Sequence, residues 1–244
     1  MSMRRSCWSS KIKLGPKKLP PITAKFACSE RWLLQMDTLT LDISRTTNLN
    51  ASNAIRTMLR YACNMPTFGY SQGNLYVLRP VLNVYTKEEE VFWAFARIMD
   101  MINVFGPMNR DVGFRLSGIP KWVTDEFTTF SPDMDMEWLQ IAIQLRWLYV
   151  LWGQTCANVE IQCALMDYAI GGRIKMYQLA AAMIRRFYPR VEHHQDTMLK
   201  FKSIFEIQID TLEEVAFIIA SAATQFPDDI CIQNHSRFRQ LWPG

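Results

Sequence analysis

An all-α fold is what this sequence predicts, on three observations. Apolar residues recur every three or four positions through most of residues 30–226, the period of a helix with one buried face. Strand-type alternation is scarce. Helix-capping residues and Gly or Pro breakers separate the periodic runs at short intervals, as in folds built from helix pairs. The 244 residues are 49% hydrophobic and 20% charged, enough apolar material for the core of one globular domain or two tightly packed lobes. With only 10 Gly and 11 Pro, collagen-like and low-complexity classes are excluded, and no repeat period is visible.

Residues 1–29 read as a basic, flexible arm. Arg4, Arg5, Lys11, Lys13, Lys17, Lys18 and Lys25 all precede the first acid, Glu30, while Gly15-Pro16 and Pro20-Pro21 interrupt any helix. The arm has too few apolar side chains to offset the entropy of ordering it, so it is expected to be dispensable for folding. A weak contact with anionic lipid is its sharpest reading, at about 1 kcal/mol per basic residue near the surface. Nucleic-acid binding is not expected, because the arm carries few interleaved aromatics besides Trp8 and the body carries no basic stripe.

The helical body spans residues 30–225. Ser29 with Glu30, Arg31 and Trp32 marks a helix start, and Asp37–Leu41 reads as loop or short strand. Over Ser52–Cys63, the residues Ile55, Met58, Leu59 and Ala62 share one face, and Asn64 with Pro66 ends the helix. A turn through Phe68–Gly73 leads to an apolar helix over Leu75–Val84, which Pro80 is expected to kink. Thr86 and Glu89 have capping-box spacing before a helix that runs to Ile102. A short helix follows Pro120, then an apolar one from Trp138 to Trp152, then Val159–Ile170 ended by Gly171-Gly172. Lys175–Tyr188, His194–Ile209 and Thr211–Phe226 complete the set, the last with Thr211 and Glu214 as a capping box. Phe92, Trp93, Trp147, Leu148, Leu165 and Phe217 are expected in the core. Residues 226–244 form a C-terminal tail.

The chain has six cysteines, at 7, 28, 63, 156, 163 and 231, with no CxxC pair and none close in sequence to His193, His194 or His235. A metal site is therefore not expected, and the cysteines read as free thiols. The first residues lack the apolar stretch of a signal peptide and no apolar run is long enough to span a bilayer, so a cytoplasmic location is expected. No GxSxG, HExxH or GxxxxGK[ST] pattern is present. Any chemistry must be lent to a partner or carried by scattered side chains.

Three segments stand out in order: Leu39-Thr40-Leu41-Asp42-Ile43-Ser44-Arg45, then Tyr70-Ser71-Gln72-Gly73-Asn74, then Arg146-Trp147 through Asp167 to Gly171-Gly172. Taken singly, Arg45 reads as a surface residue, Gln72 as a turn residue, Asp42 as a helix cap, Tyr70 as a half-buried aromatic, and Asp167 as an ion-pair partner of Arg146. Together they resemble the TBC family of Rab GTPase-activating proteins. Asp42 and Arg45 match that family's IxxDxxR segment, with Leu39 in place of Ile. Tyr70 and Gln72 match its YxQ segment, with Ser71 where Cys is usual. Leu59–Ala62, Asn64–Pro66 and Phe92-Trp93 resemble the landmarks around those motifs, and Met166 stands where Trp is usual.

The resemblance implies an all-α domain of two packed helical lobes that stimulates GTP hydrolysis by a Rab-type small GTPase and so regulates vesicle traffic. It implies Arg45 as an arginine finger and Gln72 as the residue that orients the attacking water, with Asp42, Tyr70 and Gly73 positioning them. The chain needs no cofactor on this reading, since the partner carries GTP and Mg²⁺, and its place would be cytoplasmic or peripheral on endomembranes. The alternative is a catalytically inactive module of the same fold that docks a small GTPase or another trafficking protein.

Overall fold

The computed structural model describes residues 3–15, 18–46, 49–65, 69–102, 119–129 and 136–226. They are helical, and no β-strand occurs among them beyond one isolated bridge between Cys156 and Ile209. The all-α class expected from the periodicity is correct. The chain divides into two compact units, Met1–Arg115 and Leu116–Gly244. No helix among the described residues is long and apolar enough to cross a membrane.

The first unit holds α1 (Met3–Lys11), α2 (Ala24–Ala27), α3 (Glu30–Arg45), α4 (Ala51–Asn64), α5 (Gln72–Val84) and α6 (Glu88–Ile102). Helix α3 packs on α4 and α5, and α4 and α5 both pack on α6. Asp37–Leu41 lies inside α3 rather than in a loop or strand. Leu39 shares the inner face of that helix with Trp32 and Ile43, all three buried, and this packing overrides a locally ambiguous pattern. In α4 the inward face carries Ala54, Thr57, Met58, Tyr61 and Ala62. It is rotated from the expected one, so Ile55 and Leu59 are half-buried. The three acids opening α6 suit the positive end of its dipole, and two of them also bind neighbours. Glu88 lies 3.1 Å from Arg60, and Glu90 is paired with Arg5.

That last pair belongs to an unforeseen element. Residues 3–11 are not an extended arm but helix α1, and Trp8 within it is fully buried. Its ring meets Tyr85 at 6.5 Å between centroids, and Ser9 Oγ lies 3.2 Å from the Tyr85 hydroxyl. One aromatic anchor amid polar residues leaves no periodic trace, which is why the sequence reads as unstructured there.

The second unit holds α7 (Lys121–Thr128), α8 (Met136–Ile143), a π-helical turn (Gln144–Leu148), α9 (Val159–Ala169), α10 (Arg173–Val191), α11 (Thr197–Glu206) and α12 (Leu212–Gln225). Helix α10 is its axis: it packs on α7, α9, α11 and α12 and is apolar over most of its surface. The run expected as one helix from Trp138 to Trp152 instead passes through the π-helical turn and then bends. Leu151 and Trp152 take φ of 45° and 57°, values that cost roughly 1–3 kcal/mol each away from glycine. The bend buries Trp152 completely, and Gln162 Nε2 donates to the Leu151 carbonyl at 3.1 Å. The Gly171-Gly172 stop is as expected; Gly172, with φ of 130°, caps α10 in a conformation other residues rarely adopt.

Of the expected core, Phe92, Trp147, Leu148 and Leu165 are buried, and Trp93 is half-buried. Phe217 is a correction, being 52% exposed. Val215, Ile218 and Ala222 form the inner face of α12, and Phe217 points away from them, beneath the Arg186 guanidinium at 4.4 Å. Thr211 caps α12 by accepting from the Glu214 N–H at 3.2 Å, as expected. The Glu214 carboxylate does not close the capping box. It receives Arg186 Nε and Nη2, each at 2.9 Å, together with Arg190.

Two expectations follow. Trp8→Ala should destabilise the protein by about 3–5 kcal/mol, the range for truncating a buried large aromatic, read by chemical denaturation. Glu214 supplies a pH signature: the hydrogen bond from Arg186, helped by the charges of Arg190 and Arg186, holds its carboxyl below the ordinary value against partial burial. Its contribution is therefore complete above the unfolded-state value of about 4.3 and fades as pH falls through the lower folded-state value. Melting temperatures of wild type and Glu214→Gln should differ near neutrality and converge in acid.

Candidate functional site

Every residue expected to act or to position lies in the first unit, on α3, on α5 and on the link before α5. Helix α3 starts where Ser29 Oγ accepts from the Trp32 N–H at 3.3 Å. It ends at Arg45, and the last turn is closed by side chains that satisfy free carbonyls. Ser44 Oγ donates to Leu41 O and Thr46 Oγ1 to Asp42 O, both at 2.7 Å. A cation at a helix C-terminus lies favourably in the dipole. Arg45 is exposed and has no ion-pair partner among the described residues.

Helix α5 opens on Gln72. The preceding Ser71 N–H donates at 2.8 Å to Oδ1 of Asn74, itself 2% exposed, so the first turn is tied back on itself. Gln72 is exposed, and Gly73 follows as the half-buried second residue of the helix. Gln72 is thus presented at a helix N-terminus rather than in the middle of a turn.

Two hydrogen bonds join the elements. The Tyr70 hydroxyl donates to Asp42 Oδ2 at 2.8 Å, and the Tyr70 N–H donates to Gln35 Oε1 at 3.2 Å. Asp42 is buried inside α3, one turn before Arg45; it is not a helix cap. Burial pushes the Tyr70 phenol well above its ordinary pKa, and the hydrogen bond to Asp42 and its charge push further the same way. The phenol therefore stays protonated and remains a donor. Asp42 and Tyr70, expected to position Arg45 and Gln72, are bonded to each other. Gln35 escaped the sequence reading; its signal is its place two turns before Asp42, on the same side of α3.

The outer face of α3 is unusually apolar. Leu33, Leu34 and Leu41 are 54%, 69% and 49% exposed, and Leu34, Asp37, Leu41 and Arg45 follow one another at helical spacing along that face. The third segment lies elsewhere: Arg146 is in the second unit, where it lines a groove of about 530 Å³ with Trp138, Phe205 and Lys202. Arg146 Nη1 donates to Gln154 Oε1 at 3.4 Å in place of the expected ion pair with Asp167.

Among the described residues no three His, Cys, Asp or Glu side chains are grouped to hold a metal ion. Cys7, Cys28, Cys63, Cys156 and Cys163 form no disulfide among the described residues; Cys231 and the rest of the tail beyond Phe226 lie outside the described residues.

The Asp42–Tyr70 bond can be weighed directly. Tyr70→Phe keeps the ring and strips the donor from a buried carboxylate. It should lower stability by about 1–3 kcal/mol, while Asp42→Ala combined with Tyr70→Phe should lose less than the sum of the single changes. A denaturation double-mutant cycle measures both.

A family model for the Rab-GTPase-TBC domain matches residues 2–191. The matched stretch begins at α1, ends with α10, and contains Asp42, Arg45, Tyr70 and Gln72. A search of curated proteins returns no match. With most of its length matched by that model, the chain belongs to the Rab-GTPase-TBC domain family.

Proposed function

We propose that this chain accelerates GTP hydrolysis on a Rab-type small GTPase by lending it Arg45 and Gln72. The observation that carries the reading is the hydrogen bond from Tyr70 to Asp42. It ties the helix that ends in Arg45 to the segment that opens into Gln72, so two exposed side chains of the right chemistry share one mechanical frame.

The chemistry of phosphoryl transfer gives each a task. Charge builds on the transferring group and the leaving oxygen, and a guanidinium is planar, permanently charged and able to bridge two oxygens. Arg45, exposed and free of an ion pair among the described residues, need not break a bond to reach a nucleotide. An uncharged amide both donates and accepts, so Gln72 can orient the attacking water without altering its protonation. GTP and its magnesium come with the partner. The leucines on the outer face of α3 offer apolar surface beside Arg45 for the partner's body. The basic residues near the N-terminus are less free for a membrane than composition suggests, since Arg5 is engaged by Glu90.

Single-turnover GTP hydrolysis across a panel of Rab-type GTPases tests the reading. A responsive GTPase should lose most of a stimulation on the order of 10³–10⁵ when Arg45→Lys replaces the fork by a point charge. Gln72→Ala should act in the same direction, and the double variant should lose little beyond the worse single one, because both serve one transition state. Both should leave binding of the GTP-loaded partner nearly unchanged. Equal stimulation by wild type and Arg45→Lys would defeat the catalytic reading. Binding without stimulation by any GTPase would leave a docking module.

A further inference from the structure

We infer that Gln35 is a positioning residue for Gln72, acting through the main chain of the link before α5. This rests on the GTPase-activating reading above and adds to it a residue that no family motif marks in this sequence. The carrying observation is the hydrogen bond from the Tyr70 N–H to Gln35 Oε1 at 3.2 Å. The donor is a backbone N–H, so the amide oxygen of Gln35 must be the acceptor, which settles the orientation of its side chain.

The geometry gives this bond a distinct role. Gln35 and Asp42 are seven residues apart on α3, two helical turns, and so lie on the same side of it. Asp42 holds the Tyr70 side chain by its hydroxyl, and Gln35 holds the same residue by its main chain. A hydroxyl bond alone leaves the ring free to pivot on its χ angles while the backbone shifts. A second bond to the backbone removes that freedom. The next N–H along, that of Ser71, is taken by Asn74 Oδ1 at 2.8 Å, and Gln72 follows as the first residue of α5. Residues 70 and 71 are therefore pinned in succession, first to α3 and then to α5. Because Arg45 ends the helix that carries Gln35 and Asp42, the clamp sets the placement of Gln72 relative to the finger. Neither the Gln35 side chain nor the Tyr70 N–H need touch substrate.

The test uses the full chain with two substitutions. Gln35→Met keeps an unbranched side chain of similar length and removes the acceptor; Gln35→Glu keeps an acceptor. Two quantities are read: amide hydrogen exchange at Tyr70, and kcat and KM for stimulated hydrolysis on a responsive GTPase, with melting temperature as a check on folding. The expected result is faster Tyr70 exchange and a fall in kcat of about tenfold or more for Gln35→Met, with KM and melting temperature nearly unchanged and both properties largely restored in Gln35→Glu. Unchanged Tyr70 exchange in Gln35→Met would overturn the inference by removing the anchor. Faster exchange with unaltered kcat would overturn it while leaving the proposed function standing. A loss confined to KM would overturn it in favour of a surface contact. If wild type stimulates no GTPase, the proposed function falls and takes the positioning role with it, whatever the exchange shows.

Discussion

Asp42 is a carboxylate buried in a helix, and that single fact organises the first unit. A buried carboxylate is tolerable only where donors meet it, and the Tyr70 hydroxyl, kept protonated by its surroundings, does so at 2.8 Å. The requirement is mutual: a half-buried phenol facing a buried group also needs a partner. To satisfy both, Tyr70 must lie against α3, two residues before α5 begins at Gln72. The helix that ends in Arg45 and the segment that opens into Gln72 are thereby tied together. Gln35 extends the same logic to the backbone.

The exposed side chains around that frame differ from the groups behind it. Arg45 and Gln72 sit at opposite kinds of helix terminus, one at a C-terminus and one at an N-terminus. At helix ends side chains reach outward without being wedged against a neighbouring turn, and rigid elements keep them more exactly placed than a loop would. The two residues are exposed, while Asp42 and Asn74 behind them are buried and hydrogen-bonded. On the proposed function, that division suits groups that meet a partner, because contacts formed only at the transition state are most effective when their supports are already ordered.

The second unit follows another rule. Its axis, α10, is buried along most of its length, and the surrounding helices collect on it through area more than through specific bonds. Polar ties appear at the rim: Arg185 with Glu126 at 2.7 Å, and Arg186 and Arg190 with Glu214. Exposed pairs of this kind usually contribute little. The Glu214 cluster is better placed than most, since one shielded carboxylate takes two guanidinium groups and one of them binds it through two nitrogens. The family match ends at the close of α10, so α11 and α12, which cover that axis, lie beyond the matched stretch.

Helical class, most helix positions and several caps were legible in the sequence because each is decided by residues three or four apart. Ser29, Thr211 and Gly172 can be recognised from their immediate neighbours. The ordered motifs around Asp42, Arg45, Tyr70 and Gln72 were legible too, as a pattern of residue types. Contacts between distant residues were not. Trp8 against Tyr85, Asp42 against Tyr70 and Gln35 against the Tyr70 N–H join positions 28 to 77 residues apart, and no local period encodes them. The rotation of α4, the outward turn of Phe217 and the π-helical bend before Trp152 were likewise settled by what packs alongside. The sequence by itself determined the helical class and the ordered motif residues Asp42, Arg45, Tyr70 and Gln72. Only the tertiary structure decided that Asp42 is buried, that Tyr70 answers it and that α1 belongs to the core, because burial is a property of neighbours that the chain brings together only when folded.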